Sequence, residues 1–206
     1  MRFVPMPVFV LASASPARKA LLLSAGIEPE IMVSGVDESA VEAGSPEALC
    51  SMLARLKAHS VAERLKHRSH PADLVLGCDS VLFFEGEILG KPESADEAVK
   101  RWHAMRGRSG VLHTGHCLVE LESGRSVEAV GSTVVHFADL TDEEIVSYVD
   151  SGEPLQVAGA FTIDGLGGPF VERLEGDHGT VVGLSLPVLR RLLRQLGRSI
   201  TDFWPR

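Results

Sequence analysis

Five charged side chains, well separated along the sequence, have the types that phosphoryl chemistry requires. Three are basic, Arg18, Lys57 and Lys91, and two are acidic, Glu38 and Asp79. Cations neutralise phosphate oxygens, and carboxylates are hard oxygen ligands for Mg²⁺. Composition and spacing alone do not show that these residues meet, so the elements that carry them must bring them together.

Arg18 follows a short apolar run that changes abruptly into small polar residues. The run Val8 to Ala12 is uncharged and partly β-branched, which is typical of a strand buried on both faces. Ser15 is a suitable N-cap and Pro16 a suitable first helical residue. We therefore predict a helix from Pro16 to near Gly26.

This strand, turn and helix start has the groups needed to bind an anion. The first helical turn leaves unpaired N–H groups. Ser13 and Ser15 add hydroxyls, and Arg18 and Lys19 add positive charge. The alternative is an ordinary strand–helix turn with solvated basic residues, which this stretch fits as well.

Asp79 interrupts an apolar strand. The stretch Asp73 to Phe84 reads as one strand whose pattern resumes at Val81. Because charges are almost never buried without a partner, we expect Asp79 to be ion-paired, bound to a metal or placed at the open end of the strand. An N-cap or turn aspartate is the alternative, although the strand continues after it.

Glu38 lies beside Asp37 in a turn after a predicted strand at Ile31 to Val33. Adjacent carboxylates in a loop are usually solvated. They gain a role only if another group points at them.

The two lysines lie on different kinds of segment. A helix that opens at Ser45-Pro46 carries Lys57, and a lysine on an amphipathic helix is expected on the solvated face. Lys91 stands between Gly90 and Pro92, which favour a close turn and an extended conformation that would aim its side chain. The predicted apolar face of the helix that opens at Ser45-Pro46 is formed by residues at three- and four-residue spacing, namely Leu49, Met52, Leu53, Leu56, Ser60 and Val61.

The remaining elements complete an α/β pattern. Capping boxes at Ser94/Glu97 and Thr141/Glu144 predict two helices. The other predicted elements are a hairpin of Val111 to Leu121 and Val127 to Phe137 around Glu122-Ser123-Gly124, a strand at Phe170 to Leu174, a helix at Leu186 to Leu196 and a loosely held tail at Arg198 to Arg206.

The bulk properties favour one cytoplasmic α/β domain over residues 1–206. The chain has 206 residues, 45% of them apolar, enough for one sizeable core. It contains no apolar run long enough to span a membrane and no signal-peptide pattern at its start. The three cysteines, Cys50, Cys78 and Cys117, are widely separated in apolar surroundings, so we expect reduced core thiols.

The charge balance argues against polyanionic partners. A formal net charge of −8 repels DNA and RNA over most of the surface. A small anion is different, because it needs only a few well-placed cations.

Other chemistries are poorly supported. His113 and His116 are three apart on a predicted strand and so point to opposite faces, which does not favour zinc. The sequence has no G-x-S-x-G elbow, P-loop or dinucleotide fingerprint.

Short motifs in a fixed order resemble those of the Maf family of nucleoside triphosphate pyrophosphatases, and the residues in several of them are similar to those of the actinobacterial branch. The series runs from about residue 8 to residue 196, and its collinearity is more specific than any single motif. The motifs are Leu11-Ala-Ser-Ala-Ser-Pro-Ala-Arg18, Val36-Asp37-Glu38, Leu53-Ala-Arg-Leu-Lys57-Ala58, Gly77-Cys-Asp79-Ser80, Gly90-Lys91-Pro92, Thr114-Gly115, Gly152-Glu153-Pro154, Ala158-Gly159-Ala160-Phe161 and Val182-Gly183-Leu184.

The resemblance implies a fold and a reaction. The fold is a mixed, elongated, twisted sheet flanked by helices, with two lobes and a central cleft, similar to inosine triphosphatases and commonly a homodimer. The reaction cleaves a nucleoside triphosphate between its α- and β-phosphates with Mg²⁺ or Mn²⁺, giving the monophosphate and pyrophosphate. The role implied is removal of non-canonical or modified nucleotides. The alternative is a nucleotide-binding regulator of cell division and septum formation that acts through a partner.

The same resemblance assigns roles to the charged residues. Ser13 and Arg18 would bind phosphates, with Lys57 also on the triphosphate. The catalytic set would be Glu38, Asp79 and Lys91: Glu38 would help to hold the metal, Lys91 would contact the triphosphate, and Asp79 would act as general base or mainly as a second metal ligand.

Departures from the family pattern concern the base of the nucleotide. Three positions implied to set specificity are unlike those of the two subgroups compared, namely Ala17, Ser80 and Asp164. Val157 also replaces a lysine that often precedes Ala-Gly. The preferred base is therefore left open.

Overall fold

The computed structural model describes residues 7–66 and 72–204. Within these residues, seven strands form one sheet and six α-helices flank it. The strands are β1 (Val8–Leu11), β2 (Pro29–Ile31), β3 (Ala72–Phe84), β4 (Glu87–Leu89), β5 (Ser109–Glu120), β6 (Ser126–Phe137) and β7 (Val171–Glu175). The helices are α1 (Pro16–Ser24), α2 (Pro46–Lys66), α3 (Ala95–Met105), α4 (Asp142–Asp150), α5 (His178–Val182) and α6 (Leu186–Gln195), with 3-10 turns at Glu153–Gln156, Ala158–Ala160, Gly168–Phe170 and Ile200–Phe203.

The sheet is mixed, as predicted. Its order is β2-β1-β3-β5-β6-β7, with β4 also paired to β3. β1 runs parallel to β2 and β3, whereas β3, β5, β6 and β7 are successively antiparallel. The three central strands are long, with 13 residues in β3 and 12 each in β5 and β6, and this makes the sheet elongated.

One edge of β3 is shared by two short strands with a gap between them. β1 pairs with β3 as far as Leu76, and β4 pairs with β3 from Leu82 onward. Residues 77–81 of β3 therefore have no strand partner on this edge among the described residues. Separate apolar clusters lie on either side of the gap, one under α1 and α6 and the other under α3 and α4. The gap lies between these two clusters, which with their helices form the two lobes.

Two glycines fix how α2 packs on the sheet. A Cβ at Gly77 would lie 2.2 Å from the carbonyl oxygen of Ala54, and a Cβ at Gly115 would lie 2.2 Å from that of Cys50. Because the sheet presents no side chains at these two points, the helix backbone approaches closely. The face of α2 that is buried is consequently lined by Cys50, Leu53, Ala54, Lys57, Ala58, Val61, Ala62 and Leu65.

This packing corrects the prediction for α2. Met52 and Leu56, predicted on the apolar face, are 38% and 39% exposed, while Lys57, predicted on the solvated face, is buried. The small residues that allow close contact determine the rotation of the helix, and the pattern of large apolar residues does not.

Several local predictions are confirmed and others are wrong. The hairpin β5–β6 and the capping box at Thr141 form as predicted. At Ser94 the hydroxyl caps the N–H of Glu97, but the Glu97 carboxylate accepts from Glu93 N–H instead. β2 begins and ends two residues earlier than predicted, and α5 was not predicted.

The prediction of a loosely held tail is wrong for residues 198–204. Phe203 is buried and packs edge-on against Phe9, with ring centroids 5.5 Å apart. Trp204 Nε1 donates to the carbonyl oxygen of Ala25 at 2.8 Å, and Arg198 pairs with Glu120. Residues 205 and 206 of the predicted tail lie outside the described residues.

The cysteines are buried, as predicted. Burial raises the pKa of each of the thiols of Cys50, Cys78 and Cys117 to about 12. Within residues 7–66 and 72–204, no helix has the length and apolar content needed to cross a membrane.

Candidate active site

Lys57 joins two carboxylates at the gap in the sheet. Its Nζ lies 2.6 Å from Asp79 Oδ1 and 2.7 Å from Glu38 Oε1. The side chains of Lys57 and Asp79 are 8% and 9% exposed, whereas that of Glu38 is 54% exposed. Strand alternation places Asp79 on the same face as Gly77, toward α2, so the close packing of α2 delivers Lys57 to it. Three residues remote in the sequence thus form one cluster, and of the placements expected for Asp79 the structure shows the ion pair.

In the segment before α2, Glu38 rather than Asp37 contacts Lys57. Asp37 is occupied locally, since its Oδ1 accepts from the Ser39 hydroxyl at 2.7 Å. The same hydroxyl lowers the pKa of Asp37. Ser60 and Arg64 of α2 donate to the carbonyl oxygens of Ser34 and Val33, which ties the segment to the helix and sets Glu38 over Lys57.

Burial and charge act in opposite directions on Asp79. Burial raises the pKa of its carboxyl above the usual range, while the positive charges of Lys57 and Arg18 oppose that rise. The negative charge of Glu38 raises it further. A carboxylate that holds protons more readily than an exposed one is suited to taking a proton from water.

Arg18 is fixed on the opposite face of β3 by three hydrogen bonds. Its Nε donates to the carbonyl oxygen of Gly183 at 2.8 Å, Nη1 to Ser13 Oγ at 3.2 Å and Nη2 to Ser80 Oγ at 3.1 Å. A guanidinium has five N–H groups, so two remain for a ligand. The structure therefore brings Ser13 and Arg18 together at the start of α1, as predicted.

Ser13 is oriented to donate its proton. Its oxygen accepts from the Ser15 N–H and from Arg18, each at 3.2 Å. With both lone pairs occupied, what the hydroxyl retains is its donor. The first turn of α1 contributes less than the sequence indicates, because Pro16 has no N–H and the N–H of Arg18 donates to Ser15 Oγ.

Lys91 lies apart from the Lys57 cluster. It is exposed in the loop between β4 and α3, and within the described part of the chain its side chain makes no ion pair or hydrogen bond. The backbone of the loop is held, however. The carbonyl oxygen of Gly90 accepts from Gly159 N at 3.0 Å and from Arg101 Nη1 at 2.7 Å.

The Lys91 loop is also fixed at its far end. Glu97 pairs with Arg101, and its other oxygen accepts from Glu93 N at 2.6 Å. β4 runs antiparallel to β3 from the Leu89–Leu82 pair, so the chain beyond Leu89 runs back toward the level of Asp79.

The three predicted specificity residues are not brought into contact. Ala17 is half-buried on α1, and Ser80 bonds Arg18. Asp164 is exposed in the other lobe, where it accepts from the Thr162 hydroxyl at 3.1 Å. Ala17 and Asp164 therefore belong to different lobes.

The two histidines face opposite sides of the sheet, as predicted. His113 Nδ1 lies 2.9 Å from Ser132 Oγ and 3.7 Å from Glu47 at the start of α2. His116 Nε2 accepts from Ser185 N at 2.8 Å on the other face.

A family model described as Maf-like protein matches residues 8–196. The chain belongs to the Maf family. A Salinispora tropica protein named nucleoside triphosphate pyrophosphatase is 63% identical over 197 residues, covering 96% of this chain and 87% of that protein. Proteins of the same name from Streptomyces coelicolor and Nostoc punctiforme are 58% and 49% identical, covering 97% of this chain and 96% and 98% of their own lengths. The predicted family and its resemblance to actinobacterial members are confirmed.

Sequence reasoning missed several residues that shape this Maf site. Gly183 and Thr114 support Arg18 and Ser80, and both lie in motifs that carried the family resemblance without a role. Glu153 is a third example. Its carboxylate accepts from Leu166 N and Gly167 N at 3.0 Å each, and so holds the loop that carries Asp164. Arg101 gave no signal, because a helical arginine is usually solvated.

The donors present in this Maf chain fit a divalent cation. One oxygen of Glu38 and one of Asp79 both contact Lys57 Nζ, so the two carboxylates face a common cation. Within residues 7–66 and 72–204 no group of three His, Cys, Asp or Glu side chains is placed to hold a metal. Two carboxylates alone suit Mg²⁺, which keeps several waters and takes further oxygens from substrate phosphates.

Proposed function

We propose that this chain hydrolyses nucleoside triphosphates between the α- and β-phosphates, releasing a nucleoside monophosphate and pyrophosphate. The observation that carries the proposal is the buried Lys57–Asp79 pair at the gap in the sheet, with Arg18 and Ser13 across the same strand. It combines a carboxylate able to take a proton with cations for phosphate oxygens. Similarity to proteins named nucleoside triphosphate pyrophosphatase supports it.

Each residue has a part in the reaction. Arg18 and Ser13 donate to phosphate oxygens and position the substrate. One oxygen of Asp79 accepts from Lys57, and the other is available to take the proton of the attacking water. The water oxygen bonds to the α-phosphorus, and the bond from that phosphorus to the oxygen that bridges the α- and β-phosphates breaks. Lys57 and Lys91 neutralise charge on the departing pyrophosphate.

We also propose that Glu38 and Asp79 hold Mg²⁺ or Mn²⁺ in the working enzyme. Held by these two carboxylates, the cation would neutralise charge on the phosphate oxygens. The convergence of the two carboxylates supports this assignment.

Three broader features belong to the same proposal. The chain acts on non-canonical or modified nucleotides in the cytoplasm, where its buried thiols stay reduced. It forms a homodimer, for which the exposed Met52 and Leu56 on α2 offer apolar surface. Its preferred base depends on the groups that line the two sides of the cleft.

The test is product analysis over a panel of canonical and modified nucleoside triphosphates with Mg²⁺ or Mn²⁺. We expect pyrophosphate and the monophosphate from at least one of them, and no turnover with excess EDTA. Asp79→Asn should lower kcat by roughly 10²–10⁴-fold, as loss of a general base does. Asp150→Asn, at the exposed end of α4, is the matched control and should keep its rate. Release of orthophosphate alone, or an unchanged rate in Asp79→Asn, would contradict the proposal.

A further inference from the structure

The hydrogen bonds around Ser80 can run in only one direction. Thr114 Oγ1 donates to the carbonyl oxygen of Thr180 at 2.7 Å, and a carbonyl can only accept. Thr114 has thus used its one proton. Ser80 Oγ lies 2.8 Å from Thr114 Oγ1, so Ser80 is the donor in that contact.

The same reasoning fixes the other side of Ser80. Arg18 Nη2 lies 3.1 Å from Ser80 Oγ, and a guanidinium can only donate. Ser80 therefore accepts from Arg18 and passes its own proton to Thr114. The result is a directed chain from Arg18 through Ser80 and Thr114 to the backbone of Thr180, and it leaves Ser80 without a donor for a ligand.

Both ends of this chain rest on α5. The chain ends at the carbonyl oxygen of Thr180 within α5, and Arg18 Nε donates to the carbonyl oxygen of Gly183, the C-cap of the same helix. Thr180 and Thr114 are 1% and 0% exposed, so these anchors are buried. The Asp177 side chain caps the helix at its start by accepting from Thr180 N. Arg18 is thereby held at two nitrogens by one short helix.

We propose that Ser80 is a positioning residue that acts through Arg18 on the phosphates, and does not read the base. The proposal rests on the proposed function, in which Arg18 binds the triphosphate. It gives this position a different role from the base specificity that the family resemblance implied. It also gives α5 a function, as the support that aims the guanidinium.

A ligand with phosphates and no base separates the two roles. The binding of inorganic tripolyphosphate with Mg²⁺ is measured by calorimetry for the wild type, Ser80→Ala and Ser80→Thr. In Ser80→Ala we expect affinity to fall about tenfold, because Arg18 loses one of its three supports. The values of kcat/KM for purine and pyrimidine triphosphates should fall by one common factor. Ser80→Thr keeps the hydroxyl and should restore both.

The opposite pattern overturns the proposal. Unchanged tripolyphosphate affinity in Ser80→Ala, together with a changed ratio of kcat/KM between nucleotides, would make Ser80 a base-reading residue. No change in either quantity would remove Ser80 from the site altogether. Tripolyphosphate binding by a wild-type protein that hydrolyses no triphosphate would contradict the proposed function, while the binding comparison would still measure the Ser80–Arg18 link.

A double-mutant cycle tests the link to Thr114. Thr114→Val should weaken tripolyphosphate binding several-fold, and this loss should disappear in the Ser80→Ala background. Its effect on the melting temperature should persist in that background, because the Thr180 carbonyl loses its partner in either case. Additive losses of tripolyphosphate affinity would show that Thr114 does not act through Ser80.

Discussion

Lys57 and Asp79 form an ion pair in which both side chains are more than nine-tenths buried, with Nζ and Oδ1 2.6 Å apart. Removing two charges from water costs several kcal/mol per ion, and the pair recovers this only through its own attraction and hydrogen bonds. Such a pair is weak evidence for stability. Its place at the gap in the sheet, next to the half-exposed Glu38, fits the role in hydrolysis proposed above.

Replacing only one member of this pair should be costly. Lys57→Met leaves the buried Asp79 without its partner, so we expect the free energy of unfolding to fall by about 3–5 kcal/mol. The double variant Lys57→Met with Asp79→Leu removes both charges and should recover most of that loss, although it has no activity. Urea unfolding in EDTA measures both. If the double variant is as unstable as the single one, the instability does not come from the unpaired charge of Asp79, and the prediction is wrong.

The glycine under α2 should tolerate no side chain. Gly77→Ala would place a Cβ against the Ala54 carbonyl, so α2 must move away from the sheet and carry Lys57 with it. We expect a loss of about 1–3 kcal/mol of unfolding free energy, together with at least tenfold lower kcat. Gly44→Ala is the control, because a Cβ there meets nothing within 4 Å. Near-normal stability and activity in Gly77→Ala would show that α2 can move away from the sheet without displacing Lys57 from Asp79, and would contradict the prediction.

Arg101 should affect turnover through the Lys91 loop. Arg101→Met removes one donor to the Gly90 carbonyl and the partner of Glu97, which weakens the support of the segment on both sides of Lys91; the bonds from Gly159 N and Glu93 N remain. We expect kcat/KM to fall about three- to tenfold, since a misplaced cation loses part of its interaction with phosphate.

Arg106→Met provides the matched control for Arg101→Met. Arg106 also joins a backbone carbonyl, that of Leu140, to a carboxylate, that of Asp142, but it holds no part of the site. Steady-state kinetics with one nucleotide suffices. Equal effects of the two substitutions would show that the loss at Arg101 is general destabilisation.

His116 should make folding sensitive to acid. Burial, with the charge of Arg18 as a smaller cause, lowers its pKa from 6.5 to about 4. Between these values the unfolded chain binds a proton at His116 that the folded chain does not. Stability therefore falls as the pH drops from about 6.5 to about 4, by up to roughly 3 kcal/mol from this group, and the contribution is constant outside that window.

The variant His116→Gln isolates this effect. Glutamine can still accept from Ser185 N but does not titrate. The difference in unfolding free energy between wild type and variant, measured from pH 7 to pH 4, should change by up to about 1.4 kcal/mol per pH unit. Parallel pH profiles would contradict the lowered pKa.

Local sequence determined most elements and the position of the central acid. Alternation and capping residues set β1, α1, β3 and the β5–β6 hairpin, because these signals act within a few residues. An aspartate inside an apolar strand was expected to be ion-paired, bound to a metal or at the open end of the strand, and the structure shows Asp79 ion-paired with Lys57. The ordered motifs also gave the family, since their collinearity is a property of sequence alone.

Only the tertiary structure decided which side chains meet. Gly77 and Gly115 lie far from α2 in the sequence, yet their missing side chains set its rotation and bury Lys57. Glu38 rather than Asp37 pairs with Lys57, because Asp37 accepts a hydrogen bond from the Ser39 hydroxyl. These contacts depend on packing between distant segments, which no local pattern encodes.

The support of Arg18 shows the same limit. Ser13 and Arg18 were visible as a candidate anion site, because one turn of chain holds both. Their supports, Ser80 and Gly183, come from β3 and the end of α5, so the direction of each hydrogen bond became known only with all the partners in place. Sequence thus determined which groups are available for chemistry, and tertiary packing decided where they point, because orientation is set by neighbours that are distant along the chain.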